Sequence, residues 1–332
     1  MSNCSQTGCK VAETGICLEN HKAGECPHLM SDAPEGAAAI PADHTTASGQ
    51  GLTFYSGEKL TPAEVSALLR ARPTQVALCV GSQSSGKTTF LARIGEMFRD
   101  GSFKRFRFAG SLSLCAFERA TWRATIASGA ARPDTLRTRL KENDHFLHLS
   151  VCPLDPGGPI LDLVISDLAG ETFSAAVGSL DVCTELSSLL RADHLVAFLD
   201  CEKLADRALR HTECDNIKTF LARVGTVRKQ DVGGLHVQVI FSRYDCLAAG
   251  EGKKDAEHFC KAFEADLRAA FGHKFASLSF HRIAARPETG EPTNEAIQHI
   301  VALWLEIPVP VYVAKKHRAL SPERDFSGFG LP

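Results

Sequence analysis

Residues 75–90 read QVALCVGSQSSGKTTF, and the order of properties along this stretch decides the fold. The apolar run through Val80 predicts a buried strand. Gly81, Ser82, Gln83, Ser84, Ser85, Gly86, Lys87 and Thr88 then match GxxxxGK[ST] without a gap. Glycines at both ends of such a loop let successive backbone N–H groups wrap phosphate oxygens, Lys87 can reach the β- and γ-phosphates, and the Thr88 hydroxyl suits magnesium. A helix is expected from Gly86 through Met97, with Thr89 in its first turn and its positive end aimed at the same anion. Strand, phosphate loop and helix in this order form a phosphate-binding unit of an α/β sheet.

Outward from that loop, strand-like and helix-like segments alternate. TPAEVSALLRAR (61–72) predicts a short amphipathic helix, with Thr61 as N-cap and Pro62 at its first position. HFLHLSV (145–151), PILDLVISDL (159–168), HLVAFLD (194–200), LHVQVIF (235–241) and SLSFHRIA (277–284) predict strands. Helices are expected around 174–191, 203–229, 255–271 and 293–306. Phe98, Phe103, Phe106 and Phe108, interleaved with arginine and lysine, are read as anchors on the core in preference to a nucleic-acid patch. The expected fold is α/β and three-layered, a mostly parallel sheet with one antiparallel strand.

The chemistry-bearing residues fall at strand ends, where open α/β sheets gather their ligands. Asp167-Leu168-Ala169-Gly170 closes the most apolar strand; the carboxylate can hold magnesium through water, and the Gly170 N–H can meet a γ-phosphate. Ser242-Arg243-Tyr244-Asp245 follows the next-to-last strand. It resembles the [N/T]KxD element of Ras-type and translation-factor GTPases, in which the aspartate reads guanine; Ser and Arg replace Asn/Thr and Lys, and Arg can stack on a purine. Ala284-Ala285-Arg286 stands where those proteins carry SAK, so the Ala285 N–H is the expected partner of the guanine carbonyl. Phosphate loop, DxxG, SRYD and AAR occur in the GTPase order, which implies GTP and GDP as ligands. An ATP-dependent P-loop enzyme is the alternative.

Two catalytic candidates follow. Glu171 stands where many Ras-like proteins keep a water-orienting glutamine. Arg132-Pro133-Asp134-Thr135 resembles the R-x-x-T of heterotrimeric G-protein α subunits, which implies Arg132 as a finger in cis and Thr135 as a magnesium ligand. Ser113 and Thr138 compete for the metal, and Arg119 and Arg123 for the finger. A weakly hydrolysing nucleotide-binding scaffold is the second functional reading, because Glu171 adds negative charge beside a γ-phosphate.

A narrower resemblance covers residues 52–306. FAGSLSLCAFERATWRATIASG (108–129), with PDTLRT, HFLHLSV, DLAGETF, FLDCEKLAD and HRIAARP, is similar to the bacterial double-GTPase proteins of biological-conflict systems. That resemblance implies a TRAFAC-type GTPase domain acting as a switch in antiviral signalling, with protein partners of a multi-component system.

Composition bounds the rest. The 332 residues are 44% hydrophobic and 23% charged with net charge -2, which is globular and carries no overall basic field for nucleic acid. No apolar run approaches the ~20 residues that span a bilayer, and the N-terminus lacks a signal-peptide core, so a cytoplasmic location is expected. Four of twelve cysteines (Cys4, Cys9, Cys17, Cys26) fall within residues 1–30. Four thiolates there, with His21 and His28 as alternates, satisfy tetrahedral zinc and would fold a segment poor in apolar residues. The expected organisation is a zinc-ribbon-like module (1–30), a flexible linker (31–55) rich in Ala, Pro, Gly, Ser and Thr, the GTPase domain (56–310) and a tail (311–332). Zinc should copurify at about one atom per chain; elemental analysis of protein prepared without chelator that finds none would remove the metal.

Overall fold

The computed structural model describes residues 3–4, 29–30, 56–101, 103–129, 145–154, 158–229, 232–248, 253–287 and 290–305. The chain divides into two units between Thr53 and Phe54. In the first, Asn3–Cys4 pairs antiparallel with Leu29–Met30; the side chains of Cys4, Cys9, Cys17 and Cys26 lie outside the described residues.

The second unit is built on seven strands: β1 (Thr74–Gly81), β2 (Phe106–Gly110), β3 (Leu147–Pro153), β4 (Leu161–Asp167), β5 (His194–Asp200), β6 (His236–Ser242) and β7 (Ser277–Ile283). Their order across the sheet is β2-β3-β4-β1-β5-β6-β7. β4, β1, β5, β6 and β7 pair parallel, while β3 is antiparallel to both β2 and β4. β3 therefore runs alone against the rest, as the sequence led one to expect.

Helices cover both faces: α1 (Pro62–Ala71), α2 (Lys87–Arg99), α3 (Leu114–Thr121), α4 (Gly170–Gly178), α5 (Leu180–Glu185), α6 (Ser187–Arg191), α7 (Cys201–Ala205), α8 (Arg210–Val227), α9 (Tyr244–Ala248), α10 (Lys253–Phe271) and α11 (Asn294–Leu305). β1 shows why its sequence is apolar without alternation. Leu78 and Val80 point into a core shared with Phe173 of α4, Phe220 of α8 and Phe263 of α10. Ala77 and Cys79 point the other way, against Phe90 and Ile94 of α2 and Trp304 of α11. A central parallel strand is buried twice, and each large side chain so placed contributes roughly 1.5–3 kcal/mol. At α1, Thr61 and Glu64 form a reciprocal capping box behind Pro62, satisfying N–H groups the helix itself leaves open.

Three segments depart from the sequence reading. The stretch 106–110 forms the edge strand β2, with Phe106 buried and Phe108 turned outward, while Phe98 and Phe103 stack at 4.0 Å. The span expected as one helix over 174–191 breaks into α4, α5 and α6, and 203–229 into α7 and α8.

The lone reversed strand is fixed by a buried polar network. His148 Nδ1 accepts the Leu112 N–H at 2.9 Å, so its proton sits on Nε2 and faces Asp162 Oδ1 at 3.1 Å. The Ser150 hydroxyl donates to the same oxygen, and Arg72 Nε lies 2.9 Å from Asp162 Oδ2. Burial works to raise the Asp162 carboxyl, but the His148 and Ser150 hydrogen bonds outweigh it and hold the group below its usual range.

At the opposite end of the sheet from the strand carboxyl termini, His194 is buried beside His236 and Trp304. Burial, helped by His236, pulls its pKa down to about 3; burial and His299 pull His281 down to about 4. Both rings stay neutral in the folded protein while the unfolded chain takes up protons below about 6.5. Stability should therefore fall as pH drops through 6.5, steepening toward about 1.4 kcal/mol per pH unit for each ring below about pH 5.5. Urea unfolding from pH 7 to 5 checks this, and His194→Leu should flatten the slope by about one proton.

Candidate functional site

The sheet register brings the motif residues to one edge. Asp167 at the end of β4 pairs with Cys79, Gly81 at the end of β1 with Phe198, and Ser242 at the end of β6 with Asp200 and Ile283. Chain order reverses between β1 and β5, which opens a crevice beyond their carboxyl ends.

The loop from Gly81 to Thr88 leads from the carboxyl end of β1 into α2 at this edge. Ser84 (φ 62°) and Gly86 (φ 82°) are left-handed, which turns the backbone back on itself before α2. A Cβ at Gly81 would lie 2.7 Å from the Phe198 carbonyl, so the strand-to-loop passage has room only for glycine. α2 starts with no side-chain cap and no acidic residue in its first turn; its open N–H groups and positive end remain available to an anion.

Lys87 is buried. Its ammonium donates to Gly81 O at 3.0 Å, Ser82 O at 3.1 Å and Ser85 Oγ at 3.4 Å, using all three protons within its own loop. Burial pulls its pKa down, against the pull of Asp167 upward. The Thr88 hydroxyl donates to Asp167 Oδ2 at 2.9 Å, while Asp167 Oδ1 is buried with no hydrogen-bond partner among the described residues. Burial raises the Asp167 carboxyl despite Lys87 and Thr88. A hydroxyl and an orphaned carboxylate oxygen side by side are a hard-oxygen pair that fits magnesium, which keeps several waters, and a divalent cation would reverse that shift.

Gly170 opens α4 directly against the loop: a Cβ there would lie 2.6 Å from Gln83 N and 2.7 Å from Gln83 Cα. Glu171, one residue on, is exposed at the helix start.

The Ser242 hydroxyl lies 2.7 Å from Ser85 O and 2.9 Å from Leu199 O, tying the end of β6 to the phosphate loop with its single proton. Arg243 is left-handed (φ 51°), and its guanidinium pairs with Asp200, which is fully buried, and Glu202. The planar group is thus committed to two carboxylates. Asp245 is half-buried in the first turn of α9. Ala284 donates its N–H to Thr293 Oγ1 at 2.9 Å; Ala285 is half-buried against the core, and Arg286 reaches the Ala124 and Thr125 carbonyls.

Ser113 is buried and accepts the His148 N–H at 2.7 Å, which occupies it with the reversed strand, and Arg119 pairs with Glu58. Arg132, Thr135 and Thr138 lie outside the described residues. Sequence reasoning missed Lys203 and Glu213: the Lys203 ammonium meets Ser82 Oγ at 2.6 Å and Gln83 O at 3.3 Å, and Ser82 Oγ donates to Glu213 at 2.5 Å. No motif spacing links these residues to the loop.

A mostly parallel sheet carrying a phosphate loop and a DxxG carboxylate on neighbouring strand ends defines a P-loop GTPase domain. The chain belongs to the Double-GTPase 2 family, whose model matches residues 76–305, and at that level the domain is a GTP-binding one. No curated protein matches it. Among solved structures it is similar to the S. cerevisiae Ski7 GTPase-like domain bound to GTP, with 13% identity and TM-score 0.41, covering 73% of this chain and 53% of that one. It is also similar to the signal recognition particle receptor SRb-GTP/SRX complex from Chaetomium thermophilum, with 13% identity and TM-score 0.36, covering 69% and 96%. The chain spans about half the length of the Ski7 chain it matches.

Gly170→Ala forces a methyl carbon against the Gln83 backbone. It should destabilise the domain by about 1–3 kcal/mol and weaken guanine-nucleotide binding about tenfold or more, measured by urea unfolding and fluorescent-nucleotide titration.

Proposed function

We propose that this domain is a magnesium-dependent molecular switch that binds and hydrolyses GTP. The observation that carries the reading is the convergence of a closed phosphate loop, an orphaned Asp167 oxygen beside Thr88, and Asp245 after β6 on one sheet edge. Gly81 to Thr89 cradle the phosphates, and the Gly170 N–H contacts the γ-phosphate. Thr88 and Asp167, with Thr135, hold magnesium, which when bound neutralises charge on the β- and γ-phosphates. Glu171 accepts a hydrogen bond from the attacking water, and Arg132 stabilises the transition-state charge. The stem of Arg243, Asp245 and the Ala285 N–H read guanine.

Residues 1–30 form a zinc module on Cys4, Cys9, Cys17 and Cys26; the antiparallel pairing of Asn3–Cys4 with Leu29–Met30 supports it by closing the two ends of the segment together. Residues 31–55 are its linker and 311–332 a tail. The family resemblance supports a role with protein partners in a bacterial conflict or antiphage signalling system. A cytoplasmic setting accords with the described helices, none of which is long and apolar enough to cross a membrane. The exposed carboxylate of Glu171 favours a second reading, a scaffold that binds GTP and hydrolyses it slowly.

Asp245 provides the test. A carboxylate accepts from both the ring N–H and the amine of guanine by strong charge-assisted bonds, and a site built on such a pair discriminates by as much as ~10⁴ to 10⁵. Asp245→Asn should lose most GTP affinity and gain relative affinity for XTP, with thermal stability unchanged. Wild-type GTP binding in that variant, or preference of the parent for ATP in direct competition, would overturn the guanine reading.

A further inference from the structure

Lys203 lies on α7, immediately past the buried end of β5. Asp200 N-caps that short helix through the Glu202 N–H at 3.1 Å, which fixes where Lys203 projects. Its ammonium is 2.6 Å from Ser82 Oγ and 3.3 Å from Gln83 O, and its side chain keeps 29% exposure. Behind Ser82 stands Glu213 of α8, with its side chain only 7% exposed, 3.7 Å from the same ammonium. Gln83 is also the residue against which Gly170 is pressed, so the ammonium stands at the loop turn that faces the DxxG element. Lys87 feels both Lys203 and Glu213, which places all three charges around one short loop.

A carboxylate buried at a phosphate loop opposes a polyanionic ligand. Lys203 offsets it, and unlike Lys87 its side chain is partly open to solvent and its ammonium has a hydroxyl and a carbonyl as direct partners, with Glu213 3.7 Å away. We propose that Lys203 is a second phosphate-directed cation, supplied in cis: Glu213 and Ser82 hold it in the nucleotide-free loop, and the terminal phosphate of a bound nucleoside triphosphate draws it away. This rests on the nucleotide reading above and assigns a catalytic residue to it. In hydrolysis the water oxygen bonds to the γ-phosphorus, the bond from phosphorus to the β–γ bridging oxygen breaks, and the water's protons leave with inorganic phosphate and solvent. Lys203 takes no part in these proton transfers and donates to phosphate oxygens as their charge shifts, the kind of contact whose loss costs about 10²–10³ in rate.

The test uses the full chain with Lys203→Met and Lys203→Arg, with thermal melting to confirm folding. Lys203→Met should lower affinity for GTPγS at least about tenfold while GDP affinity stays within about twofold, and should slow single-turnover GTP hydrolysis about 10²-fold. Lys203→Arg keeps the charge and should recover most of both. Glu213→Gln removes the resting counter-ion and should tighten GTPγS binding relative to GDP. If the parent binds nucleotide and Lys203→Met leaves both the triphosphate preference and the rate unchanged, the assignment of Lys203 is wrong while the switch reading stands. A parent that binds ATP in place of GTP overturns only the guanine reading, and the same variants then report on Lys203 with ATP. A parent that binds no nucleotide overturns both.

Discussion

The ammonium of Lys87, buried and closed on the oxygens of its own loop, is the constraint around which the rest of the domain is arranged. A buried cation costs several kcal/mol unless its protons are matched, and here all three find oxygen within one turn of chain. That solution requires the loop to fold back, which requires left-handed backbone at Ser84 and Gly86 and bare backbone at Gly81 where it passes the Phe198 carbonyl. It also requires β1 to lie between β4 and β5, since those neighbours bring Asp167 and the end of β5 beside the loop. The two apolar cores hold β1 in that place. Packing fixes the strand, the strand fixes the loop, and the loop holds a charge ready for phosphate.

Charge balance around the loop follows the same economy. Lys87 faces Asp167, Lys203 faces Glu213, and Arg243 faces Asp200 and Glu202. Among the described residues, the buried carboxylates Asp167, Glu213 and Asp200 each have a cation within reach, which offsets the cost of burying their charge. A triphosphate with its metal would reapportion these pairs rather than fill a void. The pairing of Arg243 also explains how arginine replaces lysine in this segment: the fork of the guanidinium suits two carboxylates at once, which a lysine could not hold in one plane.

Much of this was legible in the sequence, and the boundary of legibility is physical. The phosphate loop announces itself because backbone geometry demands glycines at fixed spacing, and β5 falls on the expected residues 194–200 because a doubly buried strand is a continuous apolar run. β2 was missed because Phe106–Gly110 alternates arginine with phenylalanine over only five residues and exposes Phe108, a pattern shared by loops. The break of 170–191 into three helices was missed because no proline marks it. Lys203 and Glu213 reach Ser82 across more than a hundred residues from two separate helices; such a contact is made by topology, and no local spacing encodes it. The pairing of Arg243 with Asp200 and Glu202 is likewise absent from the sequence pattern, because likeness to [N/T]KxD says where the residue begins and not which carboxylates stand near its tip.

The same long-range contacts set how the loop communicates with the rest of the domain. Its first turn is held by two helices by different means. α4 abuts Gln83 through Gly170, a steric contact with no slack, while α8 reaches Ser82 through the buried carboxylate of Glu213, a polar contact that depends on charge. Farther along, α4 and α8 pack on each other, with Phe173 against Phe220 at 5.2 Å between ring centroids. A close-packed interface transmits displacement instead of absorbing it. The loop turn at Ser82 and Gln83 is thus tied to α4 by close steric approach and to α8 by a polar contact, while Phe173 and Phe220 tie the two helices to each other.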